Sequence, residues 1–253
     1  MSTPPSCALS FLMARDRPVA VIFRRGPSRW FQVIRWNTES DTFEDGQWMN
    51  GRVYPELCDI SPDGTKLIYF VMAAHWSDAS RTSWTAVSKV PFLHALFFWE
   101  TGLLSGAGGF FVNDCFAVTP DGMLRLPSAE CIEAERASET ECLSLSNAWS
   151  AKTTASWISR HSKNWEWHLK KEIETGGANT QFSLCSADDR IVYPIPRATC
   201  AGWDQTGRLV YADGGKLVSG SYTNGHFQRN VIMDFDDGRC PTTTELPEWA
   251  KRW

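Results

Sequence analysis

Two four-residue runs, Ser61-Pro62-Asp63-Gly64 and Thr119-Pro120-Asp121-Gly122, constrain the fold of this chain more than any other feature of its sequence. In each, proline pre-sets the first corner of a turn and Asp-Gly supplies the tight second one. A β-rich run follows both, 66–71 after the first and Met123-Leu124 after the second. A looser copy, Gly202-Trp203-Asp204-Gln205-Thr206-Gly207, runs into Arg208-Leu209-Val210-Tyr211. Further β-rich segments are 19–25, 30–36, 83–89, 94–100, 109–112, 153–160, 165–170, 181–186, 216–222 and 230–233. Short strands separated by turn signals predict an all-β sandwich, barrel or propeller rather than an α/β plan. The three turns recur at uneven spacing, so no fixed repeat of about 40 residues emerges. The expectation is one propeller-like, irregular all-β domain of short antiparallel sheets over residues 1–253, with little helix.

Segments 19–25 and 30–36 flank Gly26-Pro27-Ser28, which reads as a hairpin connection. Alternation puts Trp30, Gln32, Ile34 and Trp36 on one face and Phe31, Val33 and Arg35 on the other, so both faces are expected to be at least partly covered. Residues 37–45 read as a polar turn. Residues 128–145, with Glu130, Glu133, Glu135, Glu139 and Glu141, read as a short helix capped by Ser128 or as an acidic loop.

With 43% hydrophobic residues, 13 Trp and 14 Phe among 253, the chain has the apolar surface for a sizeable core. Its formal net charge of −4 gives no overall attraction to nucleic acid or to anionic membranes. The cysteines, Cys7, Cys58, Cys115, Cys131, Cys142, Cys185, Cys200 and Cys240, are scattered without the close spacing of a disulfide framework. Reduced, mostly buried thiols are therefore expected. Residues 1–10 carry no Lys or Arg ahead of the short apolar stretch 7–14, which makes a poor signal peptide. No run approaches the roughly 18 apolar residues of a membrane span, and a cytoplasmic protein without membrane contact is expected.

The Pro-Asp-Gly turns, with Gly202-Trp203 through Gly214-Gly215-Lys216-Leu217, resemble blades of bacterial β-propellers of the TolB and WD40-like kind. The N-terminal third is more particular. Its order Arg24-Arg25-Gly26-Pro27-Ser28, Gly46-Gln47-Trp48, Gly51-Arg52 and Ser61-Pro62-Asp63-Gly64, with an ending like Pro247-Glu248-Trp249-Ala250, resembles a family of uncharacterised bacterial proteins. The likeness runs from about Pro18 to Trp253. It implies a β fold and brings no activity with it. No Gly-His and Trp-Asp pairing recurs at blade ends, a departure from true WD40 proteins.

The chain shows no constellation that carries chemistry. A Gly-x-Ser-x-Gly elbow is missing, Gly220-Ser221 lacking the closing glycine. No two cysteines stand at zinc-ligand spacing, and His161 and His168 bracket an expected hairpin around Lys163 and Asn164 without a further ligand. Asp234-Phe235-Asp236-Asp237-Gly238 lacks the third alternating ligand and the twelfth-position Glu of a calcium loop, so it reads as an acidic turn. The glycine-rich 102–109 runs into strand-like Phe110-Phe111-Val112 rather than a helix that would hold phosphate. No catalytic residue, metal site or cofactor is expected. A hydrolase with dispersed residues, His75, His94 and Asp63 being the least implausible contributors, is kept as an alternative.

What remains is binding. Residues 1–36 hold Arg15, Arg17, Arg24, Arg25, Arg29 and Arg35 against Asp16 alone, interleaved with Trp30, Phe31 and Trp36. Aromatics and arginine are enriched in binding hot spots. The expected function is a non-catalytic binding or scaffolding module that docks a protein partner through Arg24, Arg25, Ser28, Arg29, Trp30, Trp48 and Arg52. Anion or single-stranded nucleic-acid binding through Arg24, Arg25 and Arg29 of this N-terminal Arg/Trp patch is the disfavoured alternative. The plain competitor has Arg24 and Arg25 paired with the acidic 130–141 segment. A second basic patch, Lys152, Arg160, Lys163, Lys170 and Lys171 with Trp157, Trp165 and Trp167, reads first as buried tryptophan.

Overall fold

A computed structural model describes residues 7–26, 29–72, 83–101, 108–126, 150–153, 156–160, 166–173, 180–238 and 246–252, with backbone alone for 101, 150–153, 156–158 and 160. The described chain is all-β, with short 3-10 turns and no α-helix. Five small antiparallel sheets follow one another along it, none closed into a barrel. The first holds β1 (Ala8–Met13), β2 (Val19–Arg25), β3 (Trp30–Asn37) and β4 (Thr42–Asn50) in sequence order. The second holds β5 (Arg52–Val53), β6 (Asp59–Ile60), β7 (Lys66–Met72), β8 (Ser83–Lys89) and β9 (Phe97–Thr101), with β5 and β6 both paired to β7. The third is β10 (Phe110–Phe111), β11 (Phe116–Thr119) and β12 (Gly122–Arg125). The fourth is β13 (Ser150–Thr153), β14 (Ser156–Arg160), β15 (Trp167–Ile173), β16 (Thr180–Ser186) and β17 (Ile191–Ile195). The fifth is β18 (Ala198–Trp203), β19 (Leu209–Asp213), β20 (Lys216–Thr223) and β21 (His226–Asp234).

By density of contacts the chain divides into two compact units, one of residues 1–10 and 147–238, the other of residues 11–146 and 239–253. In the second unit β7 is the centre. Its Leu67, Tyr69 and Val71 pack with Val19, Val21 and Phe23 of β2 and Phe31 and Val33 of β3. Ile68, on the opposite face, packs with Val87, Phe111, Ala117 and Leu126. The second sheet is thus buried on both faces, which is why β7 reads as a continuous apolar run. Each fully buried Leu, Ile, Val or Phe stabilises the fold by about 1.5–3 kcal/mol. In the first unit, Leu169, Phe182, Leu184 and Ile195 of the fourth sheet pack with Ala201, Leu209, Tyr211 and Val218 of the fifth.

The turns behave as their chemistry requires. In the first, the Gly64 N–H donates to Ser61 O at 2.8 Å, and the Ser61 hydroxyl oxygen accepts the Lys66 N–H at 2.9 Å. Asp63 accepts the N–H and hydroxyl of Thr65. Gly64 has φ +74°, and a Cβ there would lie 2.7 Å from Val19 Cβ, so glycine is needed twice over. Asp204 leads the third turn, whose Gly207 has φ +85°. The structure adds a fourth copy, Ser186-Ala187-Asp188-Asp189, in which the Ser186 hydroxyl bonds Asp188 and Asp189 takes the glycine position at φ +64°.

Two sequence expectations are corrected. Segment 37–45 is not all turn: β4 begins at Thr42 and pairs with β3 through Trp36 with Phe43 and Arg35 with Glu44. Its outward side chains are polar because it is the last strand of its sheet. Segment 153–160 is not one strand but the hairpin of β13 and β14. Cysteine chemistry is also mixed. Cys7, Cys58, Cys185 and Cys200 are free thiols, the first three buried, whereas Cys115 is disulfide-bonded. The expectation of reduced thiols therefore does not hold at Cys115. Residues 128–145 lie outside the described residues.

Candidate functional site

The arginine-rich hairpin is built by register. Arg24 on β2 pairs with Gln32 on β3, and Gln32 pairs with Trp48 on β4, so three side chains stand in a row on one face of the first sheet. Arg24 is fully buried. It donates from Nη1 to Gly26 O at 2.8 Å, and its Cζ lies 5.0 Å from the Trp48 ring centroid. Gln32, also buried, donates from Nε2 to Asp45 Oδ1 at 3.1 Å.

The end of the hairpin is closed by the Gly26 N–H donating to Trp30 O at 2.9 Å. Gly51 N donates to Arg29 O at 3.1 Å, which brings the β4–β5 connection, and with it Arg52, alongside. The Arg52 guanidinium lies 4.6 Å from the Tyr54 ring centroid, and Tyr54 is braced by Phe70 at 5.7 Å. Arg25, Arg29 and Arg52 are exposed, and Trp30 and Trp48 are half-buried. Among the described residues no carboxylate forms an ion pair with Arg25, Arg29 or Arg52. Ser28 and the acidic 130–141 segment lie outside the described residues.

The structure therefore brings Arg25, Arg29, Trp30 and Arg52 to one end of the first sheet. Arg24 is placed beneath Trp48 as a support rather than as a contact. Alternation gave no warning of this, since Ala20 and Ile22 on the face of Arg24 and Val21 and Phe23 on the face of Arg25 are all buried.

The other candidates resolve into structural roles. Asp63 serves its own turn. Burial pushes its carboxyl up, but hydrogen bonds from Ser61 and Thr65 and the charge of Lys66 outweigh this and hold it below its ordinary value. Asp236 accepts the Cys7 N–H at 3.2 Å and Asp234 pairs with Lys216 at 2.8 Å, so the acidic 234–238 turn ties down Cys7 and closes its strand. Ser221 lies on β20, not on an elbow. Gly108 N donates to Thr85 Oγ1 at 2.8 Å ahead of β10. His94 is half-buried in the stretch before β9, and His168 Nε2 lies 3.0 Å from Asp189 Oδ1. His75, His161, Lys163, Trp165 and residues 102–107 lie outside the described residues. Among the described residues no three His, Cys, Asp or Glu side chains cluster as a metal ion requires, and no helix is long and apolar enough to cross a membrane.

Two features escaped sequence reasoning. Asp59 is buried, and desolvation pushes its carboxyl up to about 7 against hydrogen bonds from Phe111 and Ile60 and the charge of Arg15. Its Oδ2 accepts the Phe111 N–H at 2.8 Å. The second is an aromatic cleft between the fourth and fifth sheets, lined by Trp167, Trp203 and Tyr222.

No protein-family model matches the sequence, and a search of curated proteins finds no match. Solved structures show distant likeness only. The uncharacterized protein lmo1340 of Listeria monocytogenes EGD-e is 8% identical over 94% of this chain and 86% of its own, with a TM-score of 0.35. A mutant of the GH43 protein BlXynB of Bacillus licheniformis is 13% identical over 99% of this chain and 59% of its own, with a TM-score of 0.36. The Malassezia sympodialis allergen Mala s 1 is 9% identical over 90% and 83%, with a TM-score of 0.27. Likeness this distant assigns no activity.

Proposed function

We propose that the chain is a non-catalytic binding module that docks an acidic segment of a protein partner on the end of its first sheet. The observation that carries this reading is the set of exposed guanidinium groups, Arg25, Arg29 and Arg52, without a carboxylate partner among the described residues, one of them pre-positioned on an aromatic ring. Guanidinium groups held in place lose less freedom on binding a carboxylate. Single-stranded nucleic acid is less favoured. It needs free aromatic faces for base stacking, and with Trp48 and Tyr54 already carrying Arg24 and Arg52 only Trp30 of the three rings is left for it.

The experiment is affinity capture and cross-linking from native lysate, wild type beside an Arg25→Glu, Arg29→Glu, Arg52→Glu variant. A single-stranded oligonucleotide at low salt is the parallel probe. A protein cross-linked through an acidic segment and lost in the variant supports the reading. Retention of the oligonucleotide alone, or of nothing, sinks it.

The same reading takes the successive sheets as blades of an irregular propeller forming one domain, supported by their face-to-face packing within each unit. One cooperative calorimetric transition is the expected result, and two separate transitions would contradict it. A cytoplasmic location accords with the free thiols of Cys7, Cys58, Cys185 and Cys200, whereas the disulfide at Cys115 accords with an oxidising compartment. Non-reducing peptide mapping of the native protein decides between them.

A further inference from the structure

The unit that contains the fourth and fifth sheets holds a cleft of about 360 Å³, where the start of β15, the end of β18, the turn before β19 and the end of β20 converge. We propose that this cleft binds one ring of a neutral oligosaccharide. Its position is independent of the arginine hairpin, and the two readings stand or fall separately.

The walls are aromatic and fixed. Trp203 donates from Nε1 to Ser159 O at 3.1 Å, and Trp167 meets Tyr222 edge-on with centroids 5.5 Å apart and planes at 62°. All three are half-buried, so part of each faces the cleft. Gly220 lets the wall close up, because a Cβ there would lie 2.3 Å from Phe227 Cζ. Phe227 is stacked in turn on Tyr193 at 3.9 Å. Rigid aromatic walls offer apolar contact to a flat ligand at little entropic cost.

The rest of the lining includes the polar residues Thr206, Arg208 and Ser221. An apolar ligand would strip water from these groups without replacing their hydrogen bonds. An anion is disfavoured for a different reason. Arg208 Nε lies 2.9 Å from Oδ2 of Asp204, whose side chain is fully buried and also accepts from Thr206 and from the Arg208 N–H. The charge of Arg208 is already answered, and the carboxylate behind it repels an anion. Aromatic walls with a charge-compensated rim of hydroxyl and N–H groups suit a ring with C–H faces and hydroxyl edges. The volume fits the range of about 300–1,000 Å³ for small-molecule sites.

The test is titration of the full chain, by tryptophan fluorescence and calorimetry, with short neutral gluco-, xylo- and manno-oligosaccharides. Sulfated saccharides, uronic-acid oligomers and nucleosides are run beside them. Saturable binding of a neutral saccharide is expected, weakened about tenfold or more by Trp167→Ala. Tyr222→Leu, at a half-buried position, removes a ring from the wall but keeps an apolar side chain, and is expected to weaken binding likewise while leaving the circular dichroism and Tm close to those of the wild type, so failure to fold does not stand in for loss of the site. Binding of the charged saccharides or nucleosides in preference, binding unchanged in folded Trp167→Ala and Tyr222→Leu variants, or no binding of any neutral saccharide at about 10 mM overturns the proposal.

Discussion

The carboxylate of Asp59 on β6 accepts the backbone N–H of Phe111 on β10 at 2.8 Å, joining the second sheet to the third through a buried acid. Because burial raises its pKa from 3.8 to about 7, the folded state binds the Asp59 proton more tightly than the unfolded state does. This group's contribution to stability is therefore greatest in acid, falls as pH rises from about 4 to about 7, and is flat above that. Asp59→Asn keeps an acceptor for Phe111 and removes the ionisation. The variant is expected to be more stable than wild type at pH 8 by roughly 2–4 kcal/mol and to lose most of that advantage toward pH 4. Denaturant unfolding at the two pH values checks this, and an equal difference at both would refute the cause given.

Arg24 and Arg52 should separate stability from binding. Arg24→Met removes a buried guanidinium from Gly26 O and from the Trp48 ring, at an expected cost of about 1–3 kcal/mol. Arg52→Ala, at an exposed position, is expected to stay within about 0.5 kcal/mol of wild type while weakening partner binding. Chemical denaturation beside the partner-binding assay reads both.

Leu67 on β7 lies fully buried in the cluster shared by the first and second sheets. Leu67→Ala should cost about 2–5 kcal/mol through lost burial and the cavity left behind. A shift in denaturation midpoint without a change in slope is the expected signature.

Gly220→Ala drives a methyl group against Phe227 and is expected to cost about 1–3 kcal/mol by overpacking. Gly220→Ala with Phe227→Leu should recover part of the loss, since the smaller side chain vacates the contact at 2.3 Å. A double-mutant cycle on thermal unfolding measures the coupling.

The strand-and-turn character was legible because it rests on local chemistry. Pro-Asp-Gly turns and β-branched runs act over a few residues, and β2, β3, β7 and β8 fall where those signals put them. The misses have a common cause. Thr42–Asn50 carries the polar side chains of an end strand and owes its conformation to pairing with β3 rather than to its own composition. The turn at Ser186 was hidden because Asp189, whose short side chain tolerates positive φ, stands where glycine would have announced it. The aromatic cleft draws Trp167, Trp203 and Tyr222 from three strands in two sheets, and no spacing in the sequence records that they meet. Of the arginine site, both Arg24 and Arg25 were read as contacts, because β2 is buried on both faces and alternation does not separate them, and the approach of Arg52 depended on the bond from Gly51 to Arg29.

Apart from β5, which reaches past β6 to β7, strands in these sheets are joined in the order in which the chain makes them. Each sheet can therefore finish its own ladder before the next is synthesised, and a cut between sheets breaks no ladder. In evolutionary terms each sheet is a cassette. A chain of this design can duplicate, trim or lose one and ask only the side chains of the flanking faces to adjust, so surface sites such as the arginine hairpin are free to diverge while the succession of strands persists.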